Sequence, residues 1–210
     1  MNLRRARSGK RTSITRKLLA TCTLLGAAAS IAGLGTFATF TSSTSASHTV
    51  ASGTVTIALG ATGASTNRLN VGASAIAPGD TIQRSVDLID QGTLDLASVT
   101  LTTQATTSSA LDTDTTNGLQ MVIDKCSQAW TESGPPYTYT CGGSTSTVLT
   151  SRPVIQSSVT LSNLSSLAAG NTDHLRVTLT FPSGASNTLQ NQSSTIQYTF
   201  TGTQRAATNK

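Results

Sequence analysis

Two cysteines, Cys126 and Cys141, stand in Val122-Ile-Asp-Lys-Cys-Ser-Gln-Ala-Trp-Thr-Glu-Ser-Gly-Pro-Pro-Tyr-Thr-Tyr-Thr-Cys-Gly-Gly143. The third, Cys22, falls inside an apolar N-terminal run and follows Thr21, a poor context for lipid attachment. An even pair in an exported chain reads as a disulfide. The loop it would close holds Trp130, Tyr137 and Tyr139. Exposed, these rings would make a platform on which sugars stack. Packed inward, they would make a small satellite core under a stapled excursion, which is the expected arrangement. Asp112-x-Asp114 followed by Asn117-Gly118 has carboxylates enough to suggest Ca²⁺, but lacks the glycine position and final Glu of the twelve-residue calcium loop. An ordinary solvated turn is expected there. The two histidines, His48 and His174, lie far apart, and no His-Glu-x-x-His segment offers zinc and a general base. No Gly-x-Ser-x-Gly elbow is present either. These residues indicate no enzyme and no cofactor.

The charge belongs to one end. Arg4, Arg5, Arg7, Lys10, Arg11, Arg16 and Lys17 are seven of the fourteen basic residues, and residues 1–17 contain no acid. The chain after residue 38 carries the other seven basic residues and all nine acids, a net charge of −2. No basic patch remains there to neutralise phosphates, so nucleic acid is excluded as a partner. Leu18 to Ala38 is uncharged. A basic start, an apolar middle and small residues at the end make a helical secretory signal peptide, residues 1–38. Thr36-Phe-Ala38 puts small residues at the −3 and −1 positions, so cleavage is expected between Ala38 and Thr39. An uncleaved membrane helix is the alternative, the run being long enough to span a bilayer. Arg4-Arg5 lacks the context of a twin-arginine signal.

The remainder must position whatever the chain does. About a third of all residues are Ser or Thr, and 11% are charged. With 37% apolar residues it can still bury a core. Alternation with period two marks strands at Thr54–Leu59, Thr81–Ile89, Leu119–Asp124, and around Leu175, Val177, Leu179 and Phe181, then Ile196, Tyr198 and Phe200. Ile82, Val86 and Leu88 share a face that Arg84 interrupts. Leu94, Leu96, Val99 and Leu101 change phase near Ala97-Ser98, which predicts a bulge. Asp87, Asp90 and Asp95 are expected on exposed strand faces. Ile76-Ala-Pro-Gly-Asp-Thr81 is echoed by Leu167-Ala-Ala-Gly-Asn-Thr172. Each sets Gly and then Asp or Asn before a strand, either as independent turns or as equivalent corners of two halves. The fold class is all-β, a jelly-roll-like antiparallel β-sandwich. Residues 1–38 are leader, 39–52 a flexible segment, and 53–210 the sandwich with the excursion at 126–141.

The order of features resembles the TasA/camelysin family, in an actinobacterial branch. Lys17-Leu-Leu and Ala32-Gly-Leu-Gly-Thr-Phe-Ala-Thr-Phe40 look like the leader cut by a SipW-type signal peptidase. Ala51-Ser-Gly-Thr-Val-Thr-Ile57 resembles the family's first mature strand. Ile76–Thr81 and Val86-Asp-Leu-Ile-Asp-Gln-Gly-Thr-Leu94 resemble its Pro-Gly-Asp turn and following strands, and Ser194–Thr203 its last strand. The cysteine-closed insertion departs from the biofilm prototype. The resemblance implies a secreted or cell-surface protein that polymerises with itself into matrix fibres by donor-strand exchange, together with other matrix or cell-wall components. Residues 39–50 would be the donor: uncharged, rich in strand formers, with Phe40, Ala46 and Val50 sharing parity. A monomeric wall- or carbohydrate-binding module is the alternative, and a camelysin-like metallo-endopeptidase a more distant one.

Overall fold

Apolar residues at every second position give this chain strands that bury one face, and two such layers close over a common core. The structure, a computed structural model, describes residues 52–208. The predicted leader, the Ala38–Thr39 cleavage site and the donor positions Phe40, Ala46 and Val50 lie outside the described residues. The elements run β1 (Ile57–Leu59), β2 (Thr81–Asp90), β3 (Leu96–Thr107), the one-turn α1 (Ala110–Thr113), β4 (Gln120–Cys126), β5 (Thr131–Ser133) and β6 (Thr138–Thr140). Then follow β7 (Thr145–Pro153), β8 (Gln156–Thr160), β9 (Thr172–Thr180), a 3₁₀ turn (Asn187–Leu189) and β10 (Thr195–Gln204).

The first sheet has the order β1-β2-β9-β4-β7 and the second β10-β3-β8, with every pairing antiparallel. The pairs β2 with β9, β3 with β8, and β4 with β7 are nested. The chain is therefore a two-ply ribbon, β2-β3-β4 against β7-β8-β9, wound so that successive strands alternate between sheets. That winding is the jelly roll. The β5–β6 hairpin is the loop at the ribbon's turn. Between the layers, Val86, Leu88, Val99, Leu101, Met121, Ile123, Leu175 and Val177 form the main core.

Several local features follow from the residues. Leu96 and Val99 are both buried because the β3–β10 register skips Ala97: Thr203 faces Ser98 and Gln204 faces Leu96. The bulge read from the phase change is there. The two echoed turns are equivalent corners. Gly79 (φ 101°) and Gly170 (φ 79°) take the left-handed conformation that glycine adopts without steric cost. Gly79 donates to the Phe181 carbonyl beyond β9, and Gly170 donates to the Asp90 carbonyl at the end of β2. Phe181 and Asp90 in turn donate to the carbonyls of Asp80 and Asn171. One pattern thus fastens both ends of the β2–β9 pair.

Asp90 corrects the expectation of an exposed face. It shares parity with Val86 and Leu88, so its side chain points inward and is fully buried, with Oδ1 accepting from Gly92 N–H at 2.8 Å. Asp87 is half-buried beside His174, and Asp95 is exposed as expected. The first predicted strand is also shorter than its pattern. Only Ile57–Leu59 pair with β2, while the carbonyls of Thr54 and Thr56 bond to the turn at Gln91–Leu94.

Candidate functional site

The sequence-derived candidates come first, because the structure gives most of them ordinary structural work. Cys126 and Cys141 are joined, with Cα atoms 5.6 Å apart. They fasten the end of β4 to the residue group before β7, at the ribbon's turn. Trp130 is 8% exposed and Tyr139 6%, packed with Cys126 into a satellite core. The Trp130 indole donates to the His174 carbonyl at 2.9 Å, and the Arg176 guanidinium lies 4.4 Å from its ring centroid. Tyr139 donates to Glu132 (2.9 Å), which also pairs with Arg68 (2.6 Å). Those contacts hold the hairpin down on the outer face of the first sheet. Arg68's hydrogen bond keeps the Glu132 carboxyl below its ordinary range. Trp130 and Tyr139 are therefore not a sugar platform, and the satellite core is what forms.

The carboxylates tell a similar story. Asp112 is buried in α1, not solvated as expected: it accepts from Ser109 N–H, Ser108 and Ser194, closing a capping box with Ser109. Burial pushes its carboxyl up, but those donors hold it below the ordinary value. Asp114 accepts from the N–H groups of Thr116 and Asn117, an Asx turn. Asp173 is buried at the inner end of β9. Burial raises its carboxyl, and the N–H groups of Ser166 and Ser165 with Lys125 Nζ outweigh that and leave it lowered. His174 Nδ1 sits 2.7 Å from Asp87. Among the described residues no three His, Cys, Asp or Glu side chains converge as metal ligands would.

What remains is an edge. A sheet edge exposes unpaired N–H and C=O groups, and β-proteins normally protect it. Of the four edges of the two main sheets among the described residues, β1 is three residues long. The β7 edge ends in Arg152 and Pro153 and pairs in broken register. The β8 edge is five residues long and interrupted at Ser158, whose φ is 47°. The β10 edge has none of these devices. It runs ten residues, Thr-Ile-Gln-Tyr-Thr-Phe-Thr-Gly-Thr-Gln, without charge or proline, and its register with β3 is unbroken from Ile196 to Thr203. Among the described residues its other side pairs with no strand.

The space beside that edge is hollow. A cavity of about 890 Å³ opens between the sheets, lined by Ile82 of β2, Leu179 of β9, Phe181 just beyond it, Leu189, and Ile196 and Tyr198 of β10, with polar residues 190–195 completing the lining. Residues 69–78 form its outer wall. Arg84 stands at the mouth, its guanidinium held by the carbonyls of Val71 (2.6 Å) and Gly72 (2.7 Å). The interrupting charge on the apolar face of β2 is thus used to anchor the wall. Burial pushes the Tyr198 phenol well above its ordinary pKa, against the opposing charge of Arg84. A smaller gap of about 220 Å³ separates Ile57–Leu59 from Tyr198–Phe200. The first sheet's edge and β10 approach each other near Gly202, where a Cβ would come 3.0 Å from Ile57. Elsewhere the sandwich is open along one seam. The alternating pattern of Ile196, Tyr198 and Phe200 marks β10 as a strand, but only the topology shows that its far side is free.

An antiparallel jelly-roll-like sandwich with an unprotected edge over a cavity of mixed apolar and polar lining is the class of protein defined by these observations. A family profile described as "Camelysin metallo-endopeptidase" matches residues 13–209. The chain belongs to this camelysin/TasA family. A search of curated proteins found no match. The peptidase in the family's description implies a metal, and the described residues do not fit one. His174 is engaged by Asp87, the carboxylates of Asp112, Asp114 and Asp173 are saturated by N–H and O–H donors, and no third ligand stands beside any of them.

Proposed function

We propose that this protein is a secreted structural subunit that polymerises into surface or matrix fibres, residues 39–52 of one copy adding as a strand along β10 of the next. The observation that carries this reading is the unprotected ten-residue β10 edge beside the open seam. Magnitudes say what the added strand needs. Every second residue from Ile196 to Thr203 directs its N–H and C=O to the free side, offering about eight hydrogen bonds at about 1 kcal/mol net each. Ordering the incoming backbone costs about 1–2 kcal/mol per residue, so about 8–16 kcal/mol over the same length. Main-chain pairing alone does not hold the strand. Apolar side chains entering the cavity must make up the difference, at about 1.5–3 kcal/mol for a fully buried Phe or Val. Phe40 and Val50, with Ala46 between them in the same parity, supply that chemistry.

Electron microscopy and sizing of the chain beginning at Thr39 test the reading. Fibres are expected from that chain, and none from a chain lacking residues 39–50 that still unfolds cooperatively. Phe40→Ser should also abolish or severely slow assembly. A Thr39 chain that stays monomeric at high concentration, with residues 39–50 open to protease, refutes it.

A further inference from the structure

The cavity's outer wall and the β5–β6 hairpin share two arginines. Residues 69–78 make that wall, and among the described residues the N–H groups of residues 72–76 have no backbone partner. Side chains hold the wall instead. Arg84 donates to the carbonyls of Val71 and Gly72. Arg68 is fixed to β2 by its N–H on the Ser85 carbonyl (2.8 Å), and its own carbonyl accepts from Val71 N–H (2.9 Å). The hairpin covers both guanidiniums. The centroid of the Tyr137 ring lies 4.9 Å from Arg68 Cζ and 5.3 Å from Arg84 Cζ. Glu132 takes Arg68 at two points, Oε1 from Nη2 at 2.6 Å and Oε2 from Nε at 2.9 Å. That fork-on-carboxylate geometry fixes the orientation of the guanidinium as a single contact would not. The hairpin is too small to keep this grip alone. Each of its strands has three residues, and a lone two-stranded ribbon is marginal in water. Its base is closed by the Cys126–Cys141 bridge.

We propose that the hairpin is a redox-sensitive latch on the cavity wall: a dithiol that opens the Cys126–Cys141 bridge releases Arg68 and Arg84, and residues 69–78 with them. A thiolate of the dithiol attacks the sulfur of Cys141, which is half-buried where Cys126 is 2% exposed. The S–S bond breaks, and Cys126 leaves as a thiolate that takes up a proton. The dithiol's second thiol then displaces Cys141, so two electrons pass to the bridge and the dithiol leaves as its own disulfide. Without loop closure the hairpin gains chain entropy by coming away. Glu132 and Tyr137 then no longer hold the arginines in place. The sheets keep their order, because the pairings of β2, β9 and β4 do not run through the hairpin. The wall supplies Leu69, Val71 and Ile76 to the cavity. On the fibre reading, to which this last consequence alone is tied, a loose wall offers the apolar side chains of an incoming strand no preorganised surface, and assembly slows.

Trypsin reads the latch directly, because Arg68 stands at the start of the wall and residues 39–67 contain no other Lys or Arg. The chain beginning at Thr39 is treated with dithiothreitol, alkylated with iodoacetamide, freed of both reagents and digested briefly, with the untreated chain alongside. Cleavage after Arg68 is expected to be about tenfold faster in the reduced chain, since cleavage follows the population of the locally open form. Cleavage after Arg84 and Arg176, inside β2 and β9, should not change. With the bridge intact, Glu132→Gln and Tyr137→Ala should each raise cleavage after Arg68 selectively, whereas Thr138→Ala, at an exposed position of the same hairpin, should not. Three results overturn the proposal: an Arg68 bond as resistant after reduction as before, an equal rise at Arg68, Arg84 and Arg176, or no effect of E132Q and Y137A. Where fibres form, reduced and alkylated subunits should elongate about tenfold more slowly, the lost preorganisation being read as rate. Equal rates with a freed wall would overturn the coupling to assembly. Failure of both forms to make fibres would refute the fibre reading, and the trypsin result would still decide the latch.

Discussion

Replacing both Cys126 and Cys141 by Ala gives the most direct quantitative check on the architecture. The bridge spans a sequence separation of 15. In the chain-entropy treatment, closing a loop of that length removes about 10 cal/mol/K from the unfolded ensemble, or about 3 kcal/mol at 25 °C. Cys126 is also 2% exposed and packs against Trp130 and Tyr139, so some burial is lost with its sulfur. The expected total destabilisation is about 3–4 kcal/mol. With a urea dependence of about 2 kcal/mol/M for a domain of this size, the midpoint should fall by about 1.5–2 M. The single tryptophan, Trp130, sits inside the clasped loop. Its fluorescence therefore reports the hairpin, while far-ultraviolet circular dichroism reports the sheets. The two signals should coincide in the unaltered chain and separate in the double variant, the fluorescence transition coming first. A midpoint shift below about 0.5 M, or coincident transitions in both proteins, would show that the staple does not hold the ribbon's turn.

Two further predictions concern stability. Gly79→Ala and Gly170→Ala should each cost about 1 kcal/mol in urea melts, and nearly the same amount, because both glycines have positive φ in equivalent corners and their Cβ atoms meet nothing closer than 3.9 Å. Unequal costs would deny the equivalence. Acid should weaken the fold through Asp173, Asp112 and Glu132, whose carboxyls are all lowered in the native state. A lowered folded value means that the stabilisation is complete above the unfolded carboxylate range, near 4, and is lost as pH falls through the lower folded value. Urea melts at pH 6 and pH 3.5 should show the loss, and Asp173→Asn should reduce it; an Asn variant with the full acid loss would remove Asp173 from the account.

The sandwich was legible wherever burial writes a period of two. Val86 and Leu88, Leu175 to Phe181, and Ile196 to Phe200 each mark a strand, and the phase slip at Ala97 marks its bulge. The strands β7 and β8 left no such trace. Val148 and Leu149 are adjacent and both buried, because the β4–β7 register shifts there, and β8 offers only Val159 among Gln, Ser and Thr. Asp90 was misread for a related reason: its type suggests solvent, while its parity and the Gly92 N–H commit it to the interior. The candidate site was legible only in half. Phe40, Ala46 and Val50 mark the proposed donor segment by their parity, but an unpaired edge is a property of strand order, which no local pattern records.

The nested ribbon also dictates a sequence of events. Cys126 pairs with Thr145 close to the staple, whereas Thr81 pairs with Thr180 about a hundred residues away. Loop-closure entropy makes the near contacts cheap and the far ones conditional on them. The fold should therefore zip from its knotted tip towards its loose ends. The last seam to form is the one that stays ajar.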